Sequence, residues 1–115
     1  MPPHDDETRV RDMLVHGRLA VKYISGVTYD EYFADDQLQA AVERRVEIVG
    51  EAARHVSSAF QLRHPHVPWR NIAAQRHVLS HDYGEIIHER IWRGVTIHIP
   101  DLLAQIEQIL RPSTK

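Results

Sequence analysis

From Gln37 to Leu62 the chain contains no proline, and Leu38, Val42, Val46, Val49, Ala53, Val56 and Phe60 recur through it at three and four. That spacing returns apolar side chains to one face of an α-helix and is incompatible with the two-residue alternation of a half-buried strand. One helix of about six or seven turns is therefore expected there. A helix with one apolar face must bury it against other helices or a sheet. Gly50 interrupts the pattern at about 1 kcal/mol of helix propensity, and is either a site for the close approach of a neighbouring helix or a tolerated glycine.

The other segments carry the same period. Val10, Met13, Leu14, Gly17, Val21 and Ile24 form one stripe, with Asp5 or Asp6 as its expected cap and Ser25-Gly26 as its end. Thr28-Tyr29-Asp30-Glu31 reads as a cap and short turn. Two prolines, Pro65 and Pro68, separate the long segment from a stripe on Trp69, Ile72, Ala73 and Leu79, which ends in Ser80 to Gly84. Ile87, Ile91 and Val95 mark a shorter helix, and Ile99 to Leu110 a cleanly amphipathic one. Val95-Thr96-Ile97-His98-Ile99 alternates, but it is short, has no second strand to pair with, and reads as a connector. The expected fold is all-α, one up-and-down bundle of four to five helices, with residues 1–115 as a single domain. At 115 residues the chain can bury a real core.

Several function classes are excluded. There is no cysteine, hence no disulfide, thiol catalysis or Cys-ligated zinc. No apolar run exceeds three residues, so no membrane span is expected. Met1-Pro2-Pro3-His4-Asp5-Asp6 lacks the features of a secretory signal, so a cytoplasmic location is expected. The formal charge of −2 argues against coating nucleic acid by bulk electrostatics. Twelve of the 14 basic residues are Arg, a bias that fits either genomic base composition alone or planar phosphate recognition. Nine His supply acid–base groups near neutral pH.

One position breaks the third stripe. Positions 69, 72, 73, 76 and 79 share a face, and position 76 is Arg. Either Arg76 snorkels to solvent or that face borders a polar cleft. His77 and His81, four apart, share a helix face and with Glu85 could ligate a metal, but the His-Glu-x-x-His spacing is absent. His64-x-His66 is a weaker pair. Arg76 and His81 are about 140° out of register on a continuous helix, and converge only if His81 lies at or beyond the helix end. Ser80-His81-Asp82-Tyr83-Gly84 has the composition of such an end.

Arg76-His77-Val78-Leu79-Ser80-His81-Asp82-Tyr83 has the form R-x-x-x-x-H-x-Y and resembles the signature of the HepT-like HEPN ribonuclease toxins, which pair with MNT-type nucleotidyltransferase antitoxins. Ala41 to Ala52, ending Gly-Glu-Ala, is similar to that family's long-helix segment. Val67-Pro68-Trp69 before the motif, and Trp92 and Pro100-Asp101-Leu102 after it, follow the family's order. His77 departs from the Asn common at that place.

The resemblance implies a homodimer with the motif lining a cleft between protomers. It implies cleavage of RNA without a metal ion or other cofactor. Arg76 and His81 are the expected catalytic residues, and His77 and Tyr83 position the substrate. It further implies that the nucleotidyltransferase partner silences the toxin by AMPylation of Tyr83. The alternative is a non-catalytic module that binds a nucleotide or the antitoxin.

Overall fold

The computed structural model describes residues 3–74 and 84–111. Among them every regular element is helical. The elements are α1 (Pro3–Tyr23), α2 (Tyr29–Phe33), α3 (Asp36–Arg54), α4 (Ser58–Arg63), α5 (Trp69–Ala73), α6 (Gly84–Arg93), a π-helical turn (Gly94–His98) and α7 (Ile99–Leu110). The periodic stripes correspond to buried faces. Val10, Met13, Leu14 and Ala20 of α1 and Val42, Val46, Val49 and Ala53 of α3 are buried, and α1 and α3 form the most extensive helix pair.

The core has two parts. One joins Val10, Met13 and Val49 with Trp69, Ile72, Leu102 and Ile106. The other joins Ala20, Tyr32, Val42 and Val46 with Ile87, Ile91 and Val95. Leu103 packs against both. Gly17 lets α7 approach α1, since a Cβ there would lie 2.9 Å from Leu103 Cδ2.

The capping expected at Thr28 is present in full. Thr28 Oγ1 accepts from Glu31 N–H, and Glu31 Oε1 accepts from Thr28 N–H at 2.9 Å. Three other expectations are corrected. The helix expected to run unbroken from Gln37 to Leu62 ends at Arg54, and α4 starts anew at Ser58. Ser57 caps α4 with its own Oγ on Phe60 N–H, while its N–H and hydroxyl donate to Asp6 at 2.9 and 2.7 Å. A carboxylate 51 residues away thus satisfies the donors exposed by the break. Asp6 accordingly lies inside the first turns of α1, which begins at Pro3, and Asp5 also lies within the helix.

The third correction is the segment Val95 to Ile99, expected as a connector: Val95 to His98 belong to the π-turn and Ile99 opens α7, so that helix continues from Gly84 to Leu110. Pro100 has no N–H for the carbonyl of Thr96, and its ring crowds that carbonyl. Thr96 Oγ1 donates to the Trp92 carbonyl at 2.8 Å, competing for a helix acceptor. A wider turn, in which Ile99 N–H reaches Gly94 O, accommodates both. Among the described residues no helix is long and apolar enough to cross a membrane.

Candidate functional site

Arg76, His77, His81 and Tyr83 lie outside the described residues, as does Leu79. What is described is the frame that holds the ends of their segment. On the near side, α5 ends at Ala73, and Ala74 N–H closes onto Arg70 and Ile72 carbonyls. Trp69 fixes this short helix. Its ring is buried in the core against Phe60, and its Nε1–H donates to His64 O at 2.9 Å. The Val67-Pro68-Trp69 run thus anchors α5 directly before the motif.

On the far side, α6 begins at Gly84, immediately after Tyr83. Ile87 and Ile91 seat it on the core. His88, five residues past Tyr83, faces a cluster on α2 and α3. Its Nδ1 is 3.6 Å from Glu43 Oε2, beyond hydrogen-bond range, and its ring lies edge-on to Tyr32 and Phe33. Tyr29, Tyr32 and Trp92 complete the aromatic packing. Burial pushes the Glu43 carboxyl above its usual range, and the nearby His88 opposes that shift. Burial likewise drives the Tyr32 phenol upward, helped by the charge of Glu43. Both groups are therefore held toward their protonated, neutral forms. The spacing of motifs gave no signal for this trio, because its members come from three separate elements.

A second polar contact crosses the α1–α3 pair. Arg45 Nη1 lies 2.8 Å from His16 Nδ1. Burial first, then the Arg45 guanidinium, lower the His16 pKa, so the ring is held neutral and can accept that bond. His64 and His66 do stand together, with ring centroids 6.0 Å apart, beside the loop that precedes α5. The His64 pKa is lowered by burial and by His66 and Arg63.

A cavity borders the frame. It has a volume of about 480 Å³ and runs between α5, the π-turn and α7 over the surface of α3. Val46, Val49 and Leu102 form an apolar floor, and His66, Asn71, His98, Asp101 and Gln105 form a polar rim. Gln105 Nε2 donates to His66 O at 3.2 Å and ties α7 to the loop that closes one end.

Comparison with known proteins gives matches along most of the chain. The family description "Ribonuclease HepT-like" fits residues 13–109, a span that includes Arg76 to Tyr83. A candidate RNase of Methanocaldococcus jannaschii is 32% identical over 111 residues, which are 96% of this chain and 92% of that protein. A candidate RNase of Caldanaerobacter subterraneus is 32% identical over 91 residues, 79% of this chain and 81% of that one. A protein of Thermococcus cleftensis assigned by its name as ribonuclease HepT is 31% identical over 91 residues, 79% of this chain and 83% of that one. No solved structure matches.

Proposed function

Because the chain belongs to the HepT-like ribonuclease family, we propose that it is an RNA-cleaving toxin whose catalytic groups are Arg76 and His81, working as a homodimer without a metal ion. The observation that carries this reading is the match over residues 13–109, which contains an intact R-x-x-x-x-H-x-Y sequence from Arg76 to Tyr83. The frame supports it: α5 and α6 are anchored in the core on either side of that segment.

The chemistry proceeds by transesterification. The His81 imidazole takes the proton of a ribose 2′-OH, work suited at neutral pH to the imidazole group, whose unperturbed pKa is about 6.5. The 2′-oxygen forms a bond to the adjacent phosphorus as the bond to the 5′-oxygen breaks. The partner protomer's imidazolium at the same position returns a proton to that leaving oxygen. Arg76 stabilises charge on the phosphoryl oxygens through its forked donors. His77, where Asn is common, offers a donor or an acceptor to the same phosphate. The Tyr83 hydroxyl positions the substrate, and is the group to which an MNT-type nucleotidyltransferase would attach AMP. The added phosphate would then compete for Arg76.

The test is inducible expression of the wild type beside His81→Ala, with growth and RNA integrity as readouts and purified protein assayed with and without EDTA. Arrest and RNA loss with the wild type only, unaffected by EDTA, are expected. Equal behaviour of the two proteins would leave the chain as a binding module. Incubation with ATP and the partner nucleotidyltransferase should place the adenylyl mass on Tyr83. Its appearance on Tyr23, Tyr29 or Tyr32 would refute the switch.

A further inference from the structure

The cavity between α5, the π-turn and α7 has no part in the chemistry above. We propose that it binds one nucleobase of the RNA, a base that carries an amino group, and so helps select where the strand is cut. The inference rests on the ribonuclease reading for the identity of the ligand, but on four features of the cavity for its site.

The first is shape. About 480 Å³ lies within the usual range for small-ligand pockets and accepts one base with its ribose, not a helix of a partner. The apolar floor suits the face of a base, and the rim suits its edge.

The second is charge. Among the described residues of the rim, with neutral histidines, Asp101 is the one formally charged group, which disfavours a phosphate beside it. A carboxylate only accepts hydrogen bonds. Adenine, cytosine and guanine each present an amino donor, whereas the N3–H of uracil stands between two carbonyls that would face the carboxylate. Asn71, Gln105 and the two imidazoles supply both donors and acceptors for the rest of the edge.

The third is the wall itself. π-helical turns are rare and concentrate at functional sites. This one puts Gly94 and His98 on the cavity. A Cβ at Gly94 would meet nothing within 4 Å, so the missing side chain leaves open space rather than relieving a clash.

The fourth is reach. Asn71 is five residues from Arg76, so the two Cα atoms are no more than about 18 Å apart however the chain runs between them. A base in the cavity therefore lies within a short stretch of strand from the phosphate that Arg76 would hold.

The experiment uses full-length protein carrying His81→Ala, so that RNA is bound and not cut, and reads the fluorescence anisotropy of short oligoadenylate and oligouridylate. Oligoadenylate should bind at least about five-fold more tightly, the value of one good edge contact. Gly94→Phe, which fills the open space, should weaken oligoadenylate about ten-fold and erase the preference. Asp101→Asn should erase the preference, because an amide accepts from an amino group and donates to a carbonyl alike. Gly94→Ala, with an unchanged or higher Tm, verifies that the position tolerates a side chain.

Unaltered affinity and preference in both Gly94→Phe and Asp101→Asn would overturn the proposal. So would a change in oligomeric state with Gly94→Phe at constant RNA preference, which would make the cavity a contact between two copies of this chain. Cleavage by the His81-intact protein is scored separately. Cleavage with a base preference indifferent to Gly94→Phe sinks the cavity and spares the ribonuclease reading. A sensitive binding preference without cleavage does the reverse.

Discussion

Asp6 offers the sharpest test of how this bundle is held. It is 7% exposed on α1, and its carboxylate takes two hydrogen bonds from Ser57, one from N–H at 2.9 Å and one from Oγ–H at 2.7 Å. Ser57 in turn caps α4 through Phe60 N–H. Asp6→Ala removes the acceptor of both and strands the Ser57 N–H at the break between α3 and α4. Hydrogen bonds to a charged group contribute about 1.5–3 kcal/mol each, and the stranded donor adds to the loss. The two bonds share one residue, so the total should fall below their sum, at about 2–4 kcal/mol. For a domain of this size that lowers Tm by about 8–16 °C. Ser57→Ala keeps the N–H bond but loses the hydroxyl and the cap, at about 1–2 kcal/mol. The assay is a double-mutant cycle by urea unfolding followed by circular dichroism. The coupling between the two sites should reach about 1 kcal/mol. An Asp6→Ala variant within about 0.5 kcal/mol of wild type, or additive effects of the two substitutions, would refute the account of the break between α3 and α4.

Three further outcomes follow from the packing and the titrating groups. Gly17→Ala should be nearly neutral in urea unfolding, because the end of Leu103 can turn aside and helix propensity improves, whereas Gly17→Val should cost about 1–3 kcal/mol by pushing α7 away. Tyr32→Phe should leave stability unchanged or raise it by up to about 1 kcal/mol in the same assay, since the buried hydroxyl has no hydrogen-bond partner among the described residues; a loss above that size would mean that the hydroxyl is satisfied. The His16 pKa is lower folded than unfolded, so the unfolded chain binds more protons between the folded value and 6.5. That contribution to stability is complete above pH 6.5 and declines as pH falls below it. Glu43, with a raised pKa, acts in the opposite sense above 4.5, so the comparison is between wild type and His16→Gln, which keeps an acceptor for Arg45. The fall in Tm from pH 7.5 to 5.5 should be smaller in His16→Gln, and an equal fall would remove His16 from the account.

The sequence by itself determined the fold class, the buried faces and the capping box at Thr28. Each depends on side chains three or four residues apart on one helix, and a single chain records such spacing directly. It also supplied the R-x-x-x-x-H-x-Y sequence, because that signature is local, and the family to which the match over residues 13–109 points. Tertiary structure decided where the long helical pattern stops. The apolar period passes through His55 to Ser57 without a fault, and the carboxylate of Asp6, 51 residues earlier, accepts the Ser57 N–H and hydroxyl at the break. The π-turn shows the same division. Thr96, Pro100 and Gly94 are each visible as weak helix residues, yet whether they open a loop or widen a helix depends on the burial of Val95 within the turn and of Ile99 directly after it. The Tyr32, Glu43 and His88 cluster and the cavity rimmed by Asn71, His98 and Asp101 had no local pattern, because their members meet only when α2, α3, α5, α6 and α7 pack. Periodicity reports which face of an element is buried, and it carries no information on which distant polar group will be waiting there.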